Sequence, residues 1–159
     1  MTSSRYFQRF HDHLYRRLRW EELDSRHLIH LATLARDEDM AGLGLRQPPA
    51  SPGDVSTDSL PANLPHGCAR LTARQHLQVC GQGLVPLILE AYGGARWTPE
   101  CPDGAALTSG QSLGLLEGPV DVLLKAERVL LNFLQHLSGV ATQTRRFVTA
   151  LGDSPTRLL

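Results

Sequence analysis

The sequence predicts a domain that mixes helices with short strands. Apolar residues recur at three- and four-residue steps at both ends of the chain, whereas the middle carries short apolar runs bounded by glycine and proline. The 159 residues suit one compact domain, or one domain plus part of another. Lysine plus arginine and aspartate plus glutamate both number 16, so the formal net charge is zero. That balance speaks against a dedicated nucleic-acid binder, which carries a basic surplus to displace counterions from phosphates.

The elements follow in order. Tyr6, Phe7, Phe10, Leu14 and Leu18 form the stripe of an amphipathic helix over residues 3–19. A second helix opens at Asp24 or Ser25 as cap, takes its apolar surface from Leu28, Ile29, Leu31, Ala32 and Leu34, and ends near Asp37-Glu38-Asp39. Residues 40–66 contain Gly42, Gly44, Pro48, Pro49, Pro52, Gly53, Pro61 and Pro65 and read mostly as loop. Its length marks it as functional or as a local insertion. A strand is expected over residues 67–76, with Leu77 to Cys80 as its hairpin partner. A short apolar helix over residues 84–92 ends at Gly93-Gly94. Further strands are expected at Arg96 to Thr98 and Ser112 to Leu116. Pro119 suits the first turn of a long last helix carrying Leu123, Leu124, Leu130, Leu131, Leu134, Leu137, Val140, Phe147 and Leu151. Ser138-Gly139 interrupts that pattern and predicts a bend or a break. Pro155 to Leu159 reads as entry into another element.

Cys68, Cys80 and Cys101 are odd in number and lack metal-ligand spacing, so reduced, partly buried thiols are expected. Met1 to Arg19 mixes charged and apolar residues, unlike a signal peptide, and no apolar run approaches the roughly 20 residues that span a bilayer. The expected location is the cytoplasm, with neither membrane nor nucleic acid as partner. Gly42-Leu43-Gly44 and Gly81-Gln82-Gly83 lack a phosphate-loop signature and read as turns. His27 and His30 are three apart on a helix, but nothing completes a metal-ligand set, and no metal ligand or catalytic residue is assigned. In the last helix, Arg128 and Asn132 are four apart and share a side. An arginine fixed there has the two-pronged geometry that grips a carboxylate.

Two stretches carry a resemblance. Glu127-Arg128-Val129-Leu130-Leu131-Asn132-Phe133-Leu134-Gln135-His136-Leu137-Ser138-Gly139-Val140-Ala141-Thr142 resembles the signature helix of quinolinate phosphoribosyltransferases, also called nicotinate-nucleotide pyrophosphorylases (carboxylating). Gly53-Asp54-Val55-Ser56-Thr57 resembles that family's Gly-Asp-Val-Thr-Thr element. Cys80-Gly81 and Leu116-Glu117-Gly118-Pro119 occur where the family has comparable segments, so the likeness touches most of residues 25–159. It implies an α+β N-terminal domain, an antiparallel sheet with helices, leading into the start of an α/β-barrel that is cut off. Residues 1–117 would form the first domain and residues 118–159 the helical entry to the barrel.

The resemblance also implies a reaction: quinolinate and phosphoribosyl pyrophosphate give nicotinate mononucleotide, pyrophosphate and CO2, with Mg2+. It implies a homodimer whose N-terminal domain closes the partner's site, and it matches Arg128 to the arginine sent across that interface to quinolinate. His136 and Ser138 are assigned to packing and helix geometry. Residues 40–52 look longer than the family's usual link, and the Mg2+ ligands and most of the basic residues are expected beyond Leu159. The 159-residue chain alone is therefore expected to be inactive, with apolar surface exposed on its last helix. Two alternatives stay open: a relative of the same fold acting on another ring, and a non-catalytic interaction module that keeps the dimer-forming surface.

Overall fold

The computed structural model describes residues 18–61 and 64–156. The helix expected over residues 3–19 falls almost wholly outside them, as does the end of the Pro155 to Leu159 segment. A 3-10 turn, Trp20–Glu22, precedes helix α1, Ser25–Ala41. Asp24 caps α1 by accepting from the Arg26 amide at 2.9 Å. The helix extends four residues past the Asp37 of the acidic run and closes at Gly42, whose amide bonds Glu38 O. Leu28, Ala32 and Ala35 face the core, while Ile29 and Leu34 are exposed.

The proline-rich stretch contains one helical turn, α2, Val55–Asp58. Its start is tied back to the end of α1 by Gly53 N donating to Met40 O at 2.6 Å. Strand β1, His66–Thr72, stops short of the expected residue 76, although Ala73 still exchanges backbone bonds with Gly110 and Gln111. The expected hairpin does not form. Leu77–Gln78, strand β2, pairs with β4, Ala106–Leu107. Alternation defines a strand's faces but not its partner, and β1 is taken instead by β5, Ser112–Pro119. The main sheet has the order β1-β5-β3, all antiparallel, with β3 at Arg96–Pro99. Between the two sheets lies a small cluster of Ala73, Val79, Leu107 and Leu113.

The central strand β5 admits the close approach of β3 and the residues before it because of its glycines. A Cβ on Gly114 would lie 2.6 Å from Thr98 O and would overlap the Trp97 indole. Helix α3, Val85–Ala91, follows the 3-10 turn Gln82–Leu84 and is buried through Val85, Ile88 and Leu89. Arg36 of α1 donates to Ala91 O at 2.8 Å, satisfying a carbonyl that the end of α3 leaves open.

Helix α4, Val120–Leu151, leaves β5 directly after Pro119. Leu123, Ala126, Val129, Leu130 and Leu134 are buried at helical spacing against Ala32, Val85, Ile88, Leu89 and Leu116. Its 32 residues are continuous, so the expected break at Ser138-Gly139 is absent. The polar residue there has a partner: Ser138 is 3% exposed and its Oγ accepts from Cys80 N at 3.1 Å. One turn on, Thr142 Oγ1 accepts from Gln78 N at 2.8 Å and donates to Ser138 O. The two hydroxyls thereby bond the backbone of residues 78–80. Beyond them α4 is mostly exposed, with Phe147 and Val148 about half exposed.

Candidate functional site

The outer face of α4 forms one wall of a cleft of about 620 Å³. Leu124, Lys125, Glu127, Arg128, Leu131, Asn132 and Gln135 line it, recurring at the three- and four-residue steps that place side chains on one helix face. The other wall is the end of α1, at Asp39 and Met40, and the turn Gly53-Asp54-Val55-Ser56. The two stretches that carry the family resemblance, far apart in sequence, thus meet across one opening.

The turn is shaped by its own residues. Gly53 has φ +125°, a backbone conformation that a side chain disfavours, and a Cβ there would lie 2.6 Å from Asp58 Oδ2. Asp54 caps α2, accepting from Ser56 N at 3.1 Å, Thr57 N at 3.2 Å and Thr57 Oγ1 at 2.8 Å. The Thr57 hydroxyl bond, then the backbone N–H groups, and finally the Arg128 charge hold the Asp54 carboxyl below its ordinary value. Lys125 Nζ meets Asp58 Oδ1 at 2.7 Å, a contact that raises its pKa and keeps it charged.

Arg128 lies at the rim. Its side chain is 76% exposed, and Nη1 donates to Asp39 Oδ1 at 2.9 Å. Asp39 is the reverse, 13% exposed, and its other oxygen accepts from the Tyr92 hydroxyl at 3.3 Å. Burial first, and then the Asp39 charge, push the Tyr92 phenol well above its ordinary range, so the hydroxyl stays a donor.

The pairing of Arg128 and Asn132 on one side, expected from spacing, is present. Of the two residues assigned to packing and helix geometry, His136 is exposed and does not line the cleft, and Ser138 is buried. Asp39, Tyr92 and Lys125 escaped the sequence reading. Asp39 lies in an acidic run that reads as a helix end, and Tyr92 is 36 residues before Arg128 with no shared periodicity. Lys125, three residues before Arg128, was legible as a second cation on the same face. Among the described residues, no group of three or more His, Cys, Asp or Glu side chains is arranged to hold a metal ion. None of the described helices is long and apolar enough to cross a membrane. Cys68, Cys80 and Cys101 are free thiols; burial raises the Cys80 and Cys101 pKa values, as does the nearby Asp103 charge.

A helix-backed antiparallel sheet with an exposed arginine at the rim of a polar cleft defines an α+β domain. The chain matches the family model described as quinolinate phosphoribosyl transferase, N-terminal domain, over residues 54–138, and it belongs to that family. It is 34% identical over 109 residues to a probable nicotinate-nucleotide pyrophosphorylase (carboxylating) of Synechocystis, covering 67% of this chain and 36% of the relative. The corresponding protein of Mycobacterium leprae is 32% identical over 111 residues, covering 66% and 38%. The structure of NadC from Streptococcus pyogenes superposes with a TM-score of 0.71 at 29% identity, covering 83% of this chain and 45% of that one. The chain therefore spans less than half the length of these relatives.

Proposed function

We propose that this chain is the N-terminal portion of a quinolinate phosphoribosyltransferase of NAD biosynthesis. One observation carries the reading: the family match over residues 54–138 ends in the signature helix, and the fold brings that helix and the Gly53 to Thr57 turn to one cleft with Arg128 at its rim. The reaction joins the pyridine nitrogen of quinolinate to the sugar carbon that pyrophosphate leaves, and the 2-carboxylate then departs as CO2, its bonding electron pair taking up a proton at the ring carbon. The part of this chain is recognition. Arg128 uses one of its five N–H donors on Asp39, and its remaining donors fit a carboxylate by paired, charge-assisted hydrogen bonds. Its exposure suits a role across a homodimer interface, at the partner's site, with the cytoplasm as the working compartment. The division at residue 118 belongs to the same reading, with α4 serving as the last core element of the N-terminal domain and as the lead into a barrel.

Mg2+ would assist departure of the pyrophosphate by neutralising its charge. The residues described here do not fit it. The Asp39 carboxylate is engaged with Arg128 and Tyr92, Asp54 with its own turn, and Asp58 with Lys125. The ion's ligands would come from elsewhere in the full-length enzyme.

The test is release of labelled CO2 from carboxyl-labelled quinolinate with phosphoribosyl pyrophosphate and Mg2+. It compares the 159-residue chain with the longest polypeptide its locus encodes. The expected result is no turnover by the chain and turnover by the longer polypeptide. Arg128→Ala in the latter should lower kcat/KM by roughly a hundredfold, the scale of a lost charge-assisted contact. A longer polypeptide that turns over nothing yet binds a full-length relative would replace this reading with that of an interaction module.

A further inference from the structure

Arg128 is anchored at one end and open at the other. A guanidinium carries five N–H donors in a rigid plane, so fixing one nitrogen restricts the direction of the rest. Here the anchor is a carboxylate that is 13% exposed, while the arginine is 76% exposed. That carboxylate is steadied in turn by the half-buried Tyr92, whose hydroxyl occupies the oxygen that Arg128 does not use. The three groups come from three separate parts of the chain: the end of α1, the cap of α3 and the outer face of α4.

Stability gives this arrangement little purpose, because an ion pair with one well-exposed partner is screened by water and adds little to folding. Charge gives it a negative one. The cleft is lined by Asp39, Asp54 and Glu127 against Lys125 and Arg128, so Asp39 adds to an acidic excess that opposes an anion. Geometry supplies the benefit, since an arginine held before its ligand arrives loses less side-chain freedom on binding.

We propose that Asp39, steadied by Tyr92, is a positioning residue that aims Arg128 outward at the ligand carboxylate. This rests on the reading of Arg128 as a quinolinate-binding side chain, and the experiment separates the two. The first readout needs no ligand: the nitrogen-15 relaxation and hydrogen exchange of the Arg128 Nε–H group in the 159-residue chain. The unsubstituted chain should show a restrained, slowly exchanging signal. Asp39→Asn should move it to the values of a free arginine, and Asp39→Glu should recover part of the restraint. Tyr92→Phe should fall between, and it replaces Asp39→Asn if that variant does not fold. An Arg128 side chain equally mobile with and without the Asp39 carboxylate overturns the proposal.

The second readout is the KM for quinolinate in the longest polypeptide of the locus. If charge alone mattered, Asp39→Asn would lower KM, because it removes a negative charge beside the site. Positioning predicts the opposite: a rise of about tenfold with kcat within about twofold, partly reversed by Asp39→Glu. An unchanged or lowered KM overturns the proposal. If the unsubstituted polypeptide has no turnover, the functional reading fails and the nitrogen-15 readout alone decides whether Asp39 restrains Arg128.

Discussion

Ser138 shows how much a single side chain in a recognisable motif can do outside the chemistry. Its hydroxyl is buried and accepts from the Cys80 amide, two residues past the end of strand β2. Ser138→Ala keeps the helix-forming tendency and removes the acceptor. The expected cost is about 1–3 kcal/mol, the penalty of a partly buried N–H left unpaired, read as a lower midpoint in urea with unchanged slope. Arg128 is the contrasting case. Its place on a polar face was readable from its spacing with Asn132, but its anchor at Asp39 was not, because 89 residues separate the two. Residue types announce what bonds they can make; only the fold says with whom.

At the scale of the element, α4 was legible in outline and misread in one detail. Its apolar positions from Leu123 to Leu134 define the buried face by periodicity alone. Ser138-Gly139 looks like an interruption because a serine and a glycine break the apolar stripe, yet the helix continues, since the serine has a backbone partner in the segment after β2. The turn at Gly53 to Thr57 is the second element built by local chemistry, and its stability should depend on acid. Three donors favour the ionised form of Asp54, so its folded pKa is below the ordinary carboxylate value of 3.8. A group with a depressed folded pKa contributes stability that is present above its unfolded value and is lost as pH falls through the folded one. Amide exchange at Ser56 and Thr57, corrected for its intrinsic pH dependence, should therefore keep its protection at pH 5–7 and lose it below about pH 3.8. Asp54→Asn should abolish most of that dependence, and protection that is flat with pH in both forms would refute the assignment.

Across the whole molecule, one core joins α1, α3, β5 and α4, and Leu130 lies inside it at 1% exposure. Leu130→Ala should cost about 2–5 kcal/mol, a large fraction of the roughly 5–15 kcal/mol that holds a domain of this size together. Thermal unfolding followed by circular dichroism would show it, as one cooperative transition moved to lower temperature; a loss confined to α4 would mean that the helix folds apart from the sheet. By itself the sequence determined the helices α1, α3 and α4, the strands β1, β3 and β5, and the family, because periodicity, caps and motif spacing are local and survive without a partner. It also marked Arg128, because a cation on the polar side of an apolar helix is visible in the register of that helix. Tertiary structure alone decided that Leu77–Gln78 pairs with Ala106–Leu107, that Gly114 must admit the Trp97 ring, and that Asp39 and Tyr92 converge on Arg128. Each of these joins segments far apart in the chain. Such contacts form only when the burial of a shared core repays the entropy of closing the loops between them, and no local pattern records which pairs that core selects.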